Sequence, residues 1–168
     1  NMDLSNFICP VTKQSLQKSE NTLIAHDVCH EIKGDIPRFV ASDNYAEAFG
    51  LQWNTFKLTQ FDSYTNSPVT EKRLEQAFGR PLSSLTGKRI LEAGSGAGRF
   101  TEILLKYGAL VYSFDFSNAV EANYENNMPN EKLTLFQADI ENIPFQNDFF
   151  DAVLCLGVLQ HTPSTRLS

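Results

Sequence analysis

The second half of the chain alternates between short apolar runs and amphipathic stretches. The apolar runs predict four buried strands, at residues 89–93, 109–114, 133–137 and 150–156. Apolar residues spaced three and four apart predict helices over residues 98–107 and 117–126, the first ended by Gly108 and the second capped by Ser117. Strands that alternate with helices form βαβ units, so this half predicts a parallel sheet.

The first half is patterned differently. Apolar runs broken by turn residues predict three small strands, at residues 7–9, 22–25 and 36–40. Between the halves the spacing is helical, with Phe49 and Trp53 on one face of a predicted helix over residues 45–58. A second helix is predicted over residues 70–78, where Thr70 is a plausible cap.

These patterns divide the chain into three stretches. They predict a small β-rich segment at residues 3–42, a helical linker or lid at 43–86, and an α/β domain at 87–168. The predicted fold class is α/β, with a Rossmann-like parallel sheet preceded by the β-rich segment and the linker. A segment of about 40 residues is too small to hold a large core alone.

Composition and charge narrow the classes of partner. The chain has 168 residues and a formal net charge of −6, from 14 basic and 20 acidic residues. No clustered basic face is visible, so nucleic acid is not expected as a partner. No apolar run approaches the ~20 residues of a membrane helix, so no membrane partner is expected. Three cysteines without disulfide spacing, and no secretion signal, predict a cytoplasmic protein with reduced thiols.

The central chemical signal is a glycine-rich loop between a strand and a helix. Gly94, Gly96 and Gly98 follow the apolar run at residues 89–93 on alternate positions. Glycines permit a tight turn and remove Cβ atoms, so a ligand can lie against bare backbone. The helix that follows offers unpaired N–H groups at its start. This arrangement predicts a nucleotide-type binding loop.

Two details distinguish this loop from a dinucleotide loop. The third glycine of the G-x-G-x-x-G fingerprint would fall at Arg99, and the acidic Glu92 lies two residues before the first glycine. A carboxylate facing the ligand would repel a pyrophosphate and would suit an ammonium group. An NAD-type oxidoreductase is therefore disfavoured, and a nucleoside that carries an amino acid is favoured.

Acidic residues also follow the next two strands. Asp115 ends the second strand, where a carboxylate can accept hydrogen bonds from both ribose hydroxyls. Asp139 follows the third strand, where it can accept from an adenine amine while the Ile140 N–H faces a ring nitrogen. Each aspartate also has a structural interpretation, Asp115 as a helix cap and Asp139 as a turn residue.

Residues 88–163 resemble the front half of class I S-adenosylmethionine-dependent methyltransferases, with four motifs in the family's order. The resemblance implies S-adenosyl-L-methionine as the cofactor and a small molecule as the methyl acceptor. It implies a cofactor-binding set of Glu92, Ala93, Gly94, Ser95, Gly96, Gly98, Asp115, Phe116, Asp139, Ile140 and Leu156. His161 is the candidate catalytic base, with a plain turn before Thr162 and Pro163 as the alternative.

The N-terminal segment resembles small zinc-ribbon domains. Cys9 and Pro10 match the start of a metal knuckle, but Thr12 stands where its second cysteine would be. His26, Cys29 and His30 match the second pair of ligands poorly. We therefore expect a ribbon-like fold that binds no metal and is held together by packing.

The chain stops shortly after the fourth strand, whereas domains of this family continue through further strands. A truncated domain is therefore expected. An unpaired edge on the fourth strand would favour a homodimer through that edge. Two functions remain open at this stage: a methyltransferase acting on a small molecule, and a cofactor-binding or protein-interaction module without turnover.

Overall fold

The computed structural model describes residues 3–40 and 69–155. Within these residues eight strands form one sheet, in the order β1-β2-β3-β4-β7-β6-β5-β8. In chain order the strands are β1 Gln17–Ser19, β2 Thr22–Ala25, β3 Val28–Lys33, β4 Ile36–Arg38, β5 Arg89–Ala93, β6 Leu110–Asp115, β7 Leu133–Gln137 and β8 Ala152–Cys155. The last four strands and β4 run parallel, whereas β1 to β4 form an antiparallel meander.

Helices cover one face of the parallel strands. The described helices are α1 Val69–Phe78, a 3-10 turn at Leu82–Leu85, α2 Arg99–Lys106 and α3 Ala119–Asn127. Their apolar sides meet the sheet in one core, where Leu85, Ile90 and Leu135 have no exposed surface. Burial on this scale favours folding by roughly 25 cal/mol for each Å² of apolar surface removed from water. The parallel strands β5, β6 and β7, held in place by this core, have their carboxyl ends at the same edge of the sheet.

The opposite face of the sheet is covered by aromatic side chains. Phe7, from the N-terminal segment, is 2% exposed and its ring lies 5.3 Å from Phe136 and 4.7 Å from Phe145. The Ile8 N–H donates to the Pro144 carbonyl at 2.9 Å. The N-terminal segment thus supplies part of the core that β7 needs on this side.

The N-terminal strands are continuous with the parallel sheet. Arg38 of β4 lies opposite Gln137 of β7, and the Phe39 N–H donates to the Gln137 carbonyl at 2.8 Å. The Arg38 guanidinium donates to Gln137 Oε1 at 3.1 Å and pairs with Glu121 of α3 at 3.0 Å. The buried guanidinium of β4 thus bonds to side chains of β7 and α3, and it holds these three elements together. The predicted boundary between the small segment and the domain stays a prediction.

The fold class is confirmed, since the structure is α/β with a Rossmann-like arrangement of parallel strands. The strands predicted at residues 22–25, 89–93 and 133–137 have those bounds. The fourth strand is shorter than predicted, at Ala152–Cys155. No helix in the described ranges is long and apolar enough to cross a membrane.

Three local predictions are wrong. Residues 7–9 form no strand, because only Ile8 makes an isolated bridge, to Ser15. Thr70 does not precede α1, which begins at Val69. The helix Ala119–Asn127 begins after Asn118, although the Ser117 hydroxyl does accept a hydrogen bond from the Ala119 N–H at 3.1 Å. The helix predicted over residues 45–58 lies outside the described residues.

Candidate functional site

The glycine loop leaves β5 at the carboxyl edge of the sheet. Ala93 ends the strand with 1% of its surface exposed. The N–H groups of Gly94 and Ser95 both donate to the Phe114 carbonyl of β6, at 2.9 Å. Gly94, Gly96 and Gly98 have φ values of 72°, 55° and 94°, a region that side chains rarely adopt. The loop is therefore a tight turn that exposes backbone where open α/β sheets bind ligands.

Asp115 ties the loop to the end of the neighbouring strand. It is 7% exposed, and its Oδ2 accepts from the Gly96 N–H at 2.8 Å. Its Oδ1 accepts from the Ser117 N–H at 2.9 Å and from the Ser117 hydroxyl at 2.8 Å. The bonds to Ser117 stabilise the turn before α3, as expected if Asp115 has a structural role. The bond to Gly96 places Asp115 beside the loop, where a ribose-binding residue would lie.

Glu92 lies buried beneath the loop. Its Oε1 accepts from the Ser113 hydroxyl at 2.5 Å and from the Thr101 hydroxyl of α2. Burial raises the pKa of Glu92 to about 7, although the Ser113 and Thr101 hydroxyls act in the opposite direction and Asp115 raises it further. A group with this pKa is partly protonated near neutral pH, which is typical of functional sites.

Two polar atoms at this site have no hydrogen-bond partner among residues 3–40 and 69–155. They are Oε2 of Glu92 and the hydroxyl oxygen of Ser95, and both are buried. A buried polar atom without a hydrogen bond costs about 1–3 kcal/mol, so most are satisfied in native proteins. An acceptor pair beside a bare backbone loop fits a ligand that brings its own donors, such as an ammonium group. The residues present therefore fit the amino-acid end of S-adenosylmethionine.

The remaining predicted residues lie along the same edge or outside the described ranges. Phe116 is half-buried and its carbonyl accepts from Gln137 Nε2 at 3.0 Å. Asp139 and Ile140 follow β7, where Asp139 Oδ1 accepts from the Glu141 N–H at 2.9 Å in a local turn. Leu156 and His161 lie outside the described residues.

Sequence reasoning missed three asparagines of α3 that contact the loop. Asn126 Nδ2 donates to the Ala97 carbonyl at 3.1 Å, and Asn127 Nδ2 donates to the Gly98 carbonyl at 3.2 Å. Asn123, which is fully buried, donates to the Thr101 hydroxyl at 3.0 Å. Their spacing of three and four residues places them on one helix face, and this was the available signal.

The N-terminal cysteines and histidines do not gather into one cluster. Cys9 Sγ lies 3.3 Å from His30 Nε2 in a buried pair, whereas Cys29 is exposed. Burial lowers the pKa of His30, which favours its neutral form. Within residues 3–40 and 69–155, no group of three or more potential metal ligands comes together. The zinc-ribbon ancestry of this segment stays a prediction.

The fold and the loop together define a class of protein. A parallel sheet, a glycine loop at its carboxyl edge and acidic residues after successive strands make a nucleoside-binding domain of Rossmann-like architecture. Residues 91–167 match a family model described as a methyltransferase domain. The residues that carry the match include the loop and the strands β6 and β7.

Curated relatives agree with the family model. A ubiquinone biosynthesis O-methyltransferase from Coxiella burnetii is 32% identical over 99 residues, which are 58% of this chain and 40% of that protein. A chloroplastic magnesium protoporphyrin IX methyltransferase from Arabidopsis thaliana is 35% identical over 88 residues, 49% of this chain and 27% of that protein. The chain thus spans about two fifths of the length of the first relative.

A solved structure shares the fold. A crystal structure described as a candidate S-adenosylmethionine-dependent methyltransferase from Methanococcus maripaludis superposes with a TM-score of 0.55 at 20% identity, over 73% of this chain and 55% of that one. Residues 91–167 thus match a methyltransferase domain, in agreement with the resemblance to class I S-adenosylmethionine-dependent methyltransferases that the glycine loop predicted.

Proposed function

We propose that the whole protein transfers a methyl group from S-adenosylmethionine to a small-molecule acceptor. The observation that carries this proposal is the glycine loop with two buried acceptor atoms beside it, Glu92 Oε2 and Ser95 Oγ. The proposal of a small acceptor rests on the named relatives, which include a ubiquinone biosynthesis O-methyltransferase, and on the net charge of −6. An oxygen atom as the acceptor follows from the same relatives.

The described residues divide between the two ends of the cofactor in this proposal. Glu92 and the loop at 94–98 face its amino-acid end, because the loop offers bare backbone and a buried carboxylate. Asp115 and Asp139 lie toward its nucleoside, at the ends of β6 and β7. For Asp115 to take both ribose hydroxyls, its oxygens must share or release the hydrogen bonds from Gly96 and Ser117.

The bound cofactor supplies a methyl group that its sulfonium already activates, so the protein has to align the two reactants rather than generate a strong nucleophile. A base is required only where the acceptor must lose a proton. His161 remains our candidate for that role.

We also propose a cytoplasmic location, which fits the three free thiols, and a homodimer through the β8 edge, where Val153 is 60% exposed.

Titration calorimetry with S-adenosylhomocysteine tests the cofactor assignment. We expect the wild-type protein to bind it, and Asp115→Ala to weaken binding by about tenfold to a hundredfold, because a charge-assisted hydrogen bond contributes about 1.5–3 kcal/mol. NADH serves as the ligand control. Asp27→Ala, an exposed aspartate in the turn between β2 and β3, serves as the variant control and should bind normally.

Each outcome has a consequence for the proposal. The cofactor assignment would be overturned if the folded wild-type protein does not bind S-adenosylhomocysteine, or if it binds NADH more tightly. Binding without methyl transfer to any candidate quinol or porphyrin would favour the alternative of a cofactor-binding module without turnover. Binding that Asp115→Ala leaves unchanged would remove Asp115 from the cofactor site while leaving the family assignment in place.

A further inference from the structure

Three asparagines of α3 form a continuous contact with the glycine loop. Asn126 and Asn127 donate to consecutive loop carbonyls, those of Ala97 and Gly98. Asn127 Nδ2 also donates to Asn123 Oδ1, at 2.8 Å. These carbonyls lie in the turn that ends the loop and begins α2, so α3 holds the loop at the point where its backbone reverses. We call Asn123, Asn126 and Asn127 the asparagine clamp.

The clamp also reaches the carboxylate beneath the loop. Asn123 Nδ2 donates to the Thr101 hydroxyl at 3.0 Å, and the Thr101 hydroxyl donates to Glu92 Oε1. Thr101 and Asn123 both have no exposed surface. Since each of these groups is buried and bonded in series, a shift of α3 would move both the loop and Glu92. The clamp is therefore connected to both parts of the proposed amino-acid subsite.

The conformation of Gly98 depends on the same contact. A Cβ built on Gly98 would overlap with Oδ1 of Asn123 and Nδ2 of Asn127. The backbone of the loop therefore lies against the clamp with no room for a side chain. The close packing of Gly98 against Asn123 and Asn127 is a second observation beside the hydrogen bonds to the loop carbonyls. Both indicate that α3 sets the shape of the loop.

We propose that the asparagine clamp consists of positioning residues that hold the glycine loop in the shape that binds the amino-acid end of the cofactor. The inference rests on the proposed function, because the loop is taken as the cofactor loop. The clamp acts on the loop through the carbonyls of Ala97 and Gly98, to which Asn126 and Asn127 donate. Its loss should weaken ligands that carry the amino acid more than ligands that lack it.

The test compares two ligands on matched variants. S-adenosylhomocysteine carries the amino acid, and 5′-methylthioadenosine keeps the nucleoside and thioether without it. We expect Asn126→Ala combined with Asn127→Ala to raise the Kd for S-adenosylhomocysteine about tenfold or more, and that for 5′-methylthioadenosine less than threefold. Asn130→Ala is the control, since the Asn130 side chain also bonds to the backbone but away from the loop, with its Oδ1 accepting from the Lys132 N–H at 2.9 Å.

Hydrogen–deuterium exchange of residues 94–98 in the ligand-free protein provides a second measurement. Exchange there should quicken in the double variant and stay unchanged in Asn130→Ala. Asn123 is left intact because a fully buried residue risks misfolding. Equal weakening of both ligands, or wild-type affinity and exchange in the double variant, would overturn the clamp while the cofactor assignment stands. A wild-type protein that binds neither ligand would overturn both proposals.

Discussion

Replacing Gly98 with alanine is expected to lower the free energy of unfolding by about 3 kcal/mol. Its φ of 94° is unfavourable for any residue with a Cβ, which costs about 1 kcal/mol or more. The new Cβ also overlaps with side-chain atoms of Asn123 and Asn127, and overpacking of a tight site costs about 1–3 kcal/mol. Urea unfolding followed by circular dichroism measures the change.

Gly79→Ala separates the two causes. Gly79 follows α1 with a φ of 67°, and a Cβ built there meets nothing within 4 Å. This control should lose only the backbone contribution of about 1 kcal/mol. Combining Gly98→Ala with Asn127→Ala should recover part of the loss, because one of the two overlapping side chains is truncated. Equal losses for Gly79→Ala and Gly98→Ala would show that the clamp does not constrain Gly98.

Strands β5 and β7 could be predicted from the sequence because nearly all of their residues are buried, on both faces of the sheet. The strands Arg89–Ala93 and Leu133–Gln137 lie where the apolar runs placed them. A strand covered on both sides has a continuous apolar run, and polar turns mark its ends. The second strand is displaced by one residue, to Leu110–Asp115, since its apolar run begins in the preceding turn.

Strands β1 and β3 of the N-terminal segment were not predicted because they lack that signal, whereas β2 was predicted with its observed bounds. All three residues of Gln17–Ser19 are exposed, so this edge strand has no apolar pattern. In the antiparallel strand Val28–Lys33, exposed residues alternate with half-buried ones, and only His30 is buried. The parallel pairing of β4 with β7 joins Arg38 to Gln137, which is 99 residues away, and no local pattern predicts a partner at that distance.

The site could be predicted only where its residues are consecutive. The glycines and Glu92 stand within seven residues, and their spacing alone indicated a binding loop. Asn126 and Asn127 contact that loop from 29 residues further along the chain, so their role depends on how α3 packs. The hydrogen bonds of Asp115 to Gly96 and Ser117 likewise follow from the relative position of two strands.

Glu92→Gln is expected to stabilise the ligand-free protein relative to wild type above neutral pH. Burial raises the pKa of Glu92 from 4.5 to about 7, so the folded state binds the proton more tightly than the unfolded state. The wild-type protein therefore loses stability from this group as pH rises through about 4.5 to 7. The full loss, present above that window, corresponds to about 3 kcal/mol.

Glutamine keeps the shape of Glu92 and cannot ionise, so it removes this pH dependence. The difference in unfolding free energy between Glu92→Gln and wild type should shift by about 3 kcal/mol in favour of the variant between pH 4 and pH 8. Urea titrations at both pH values measure it, and Glu131→Gln, at an exposed glutamate, should show no such shift. A difference that does not change with pH would mean that Glu92 has the same pKa in the folded protein as in the unfolded chain.

The same variant should bind S-adenosylhomocysteine more weakly at pH 8, although it is more stable there. Oε2 of Glu92 has no partner in the part of the chain that the structure describes, and an ammonium group is the kind of donor that would satisfy it and favour the ionised carboxylate. Glutamine offers no negative charge to that donor. A gain in stability together with a loss of affinity would mean that the chain keeps a destabilising buried carboxylate for binding. Wild-type affinity in Glu92→Gln would instead assign Glu92 to the internal network with Thr101 and Ser113.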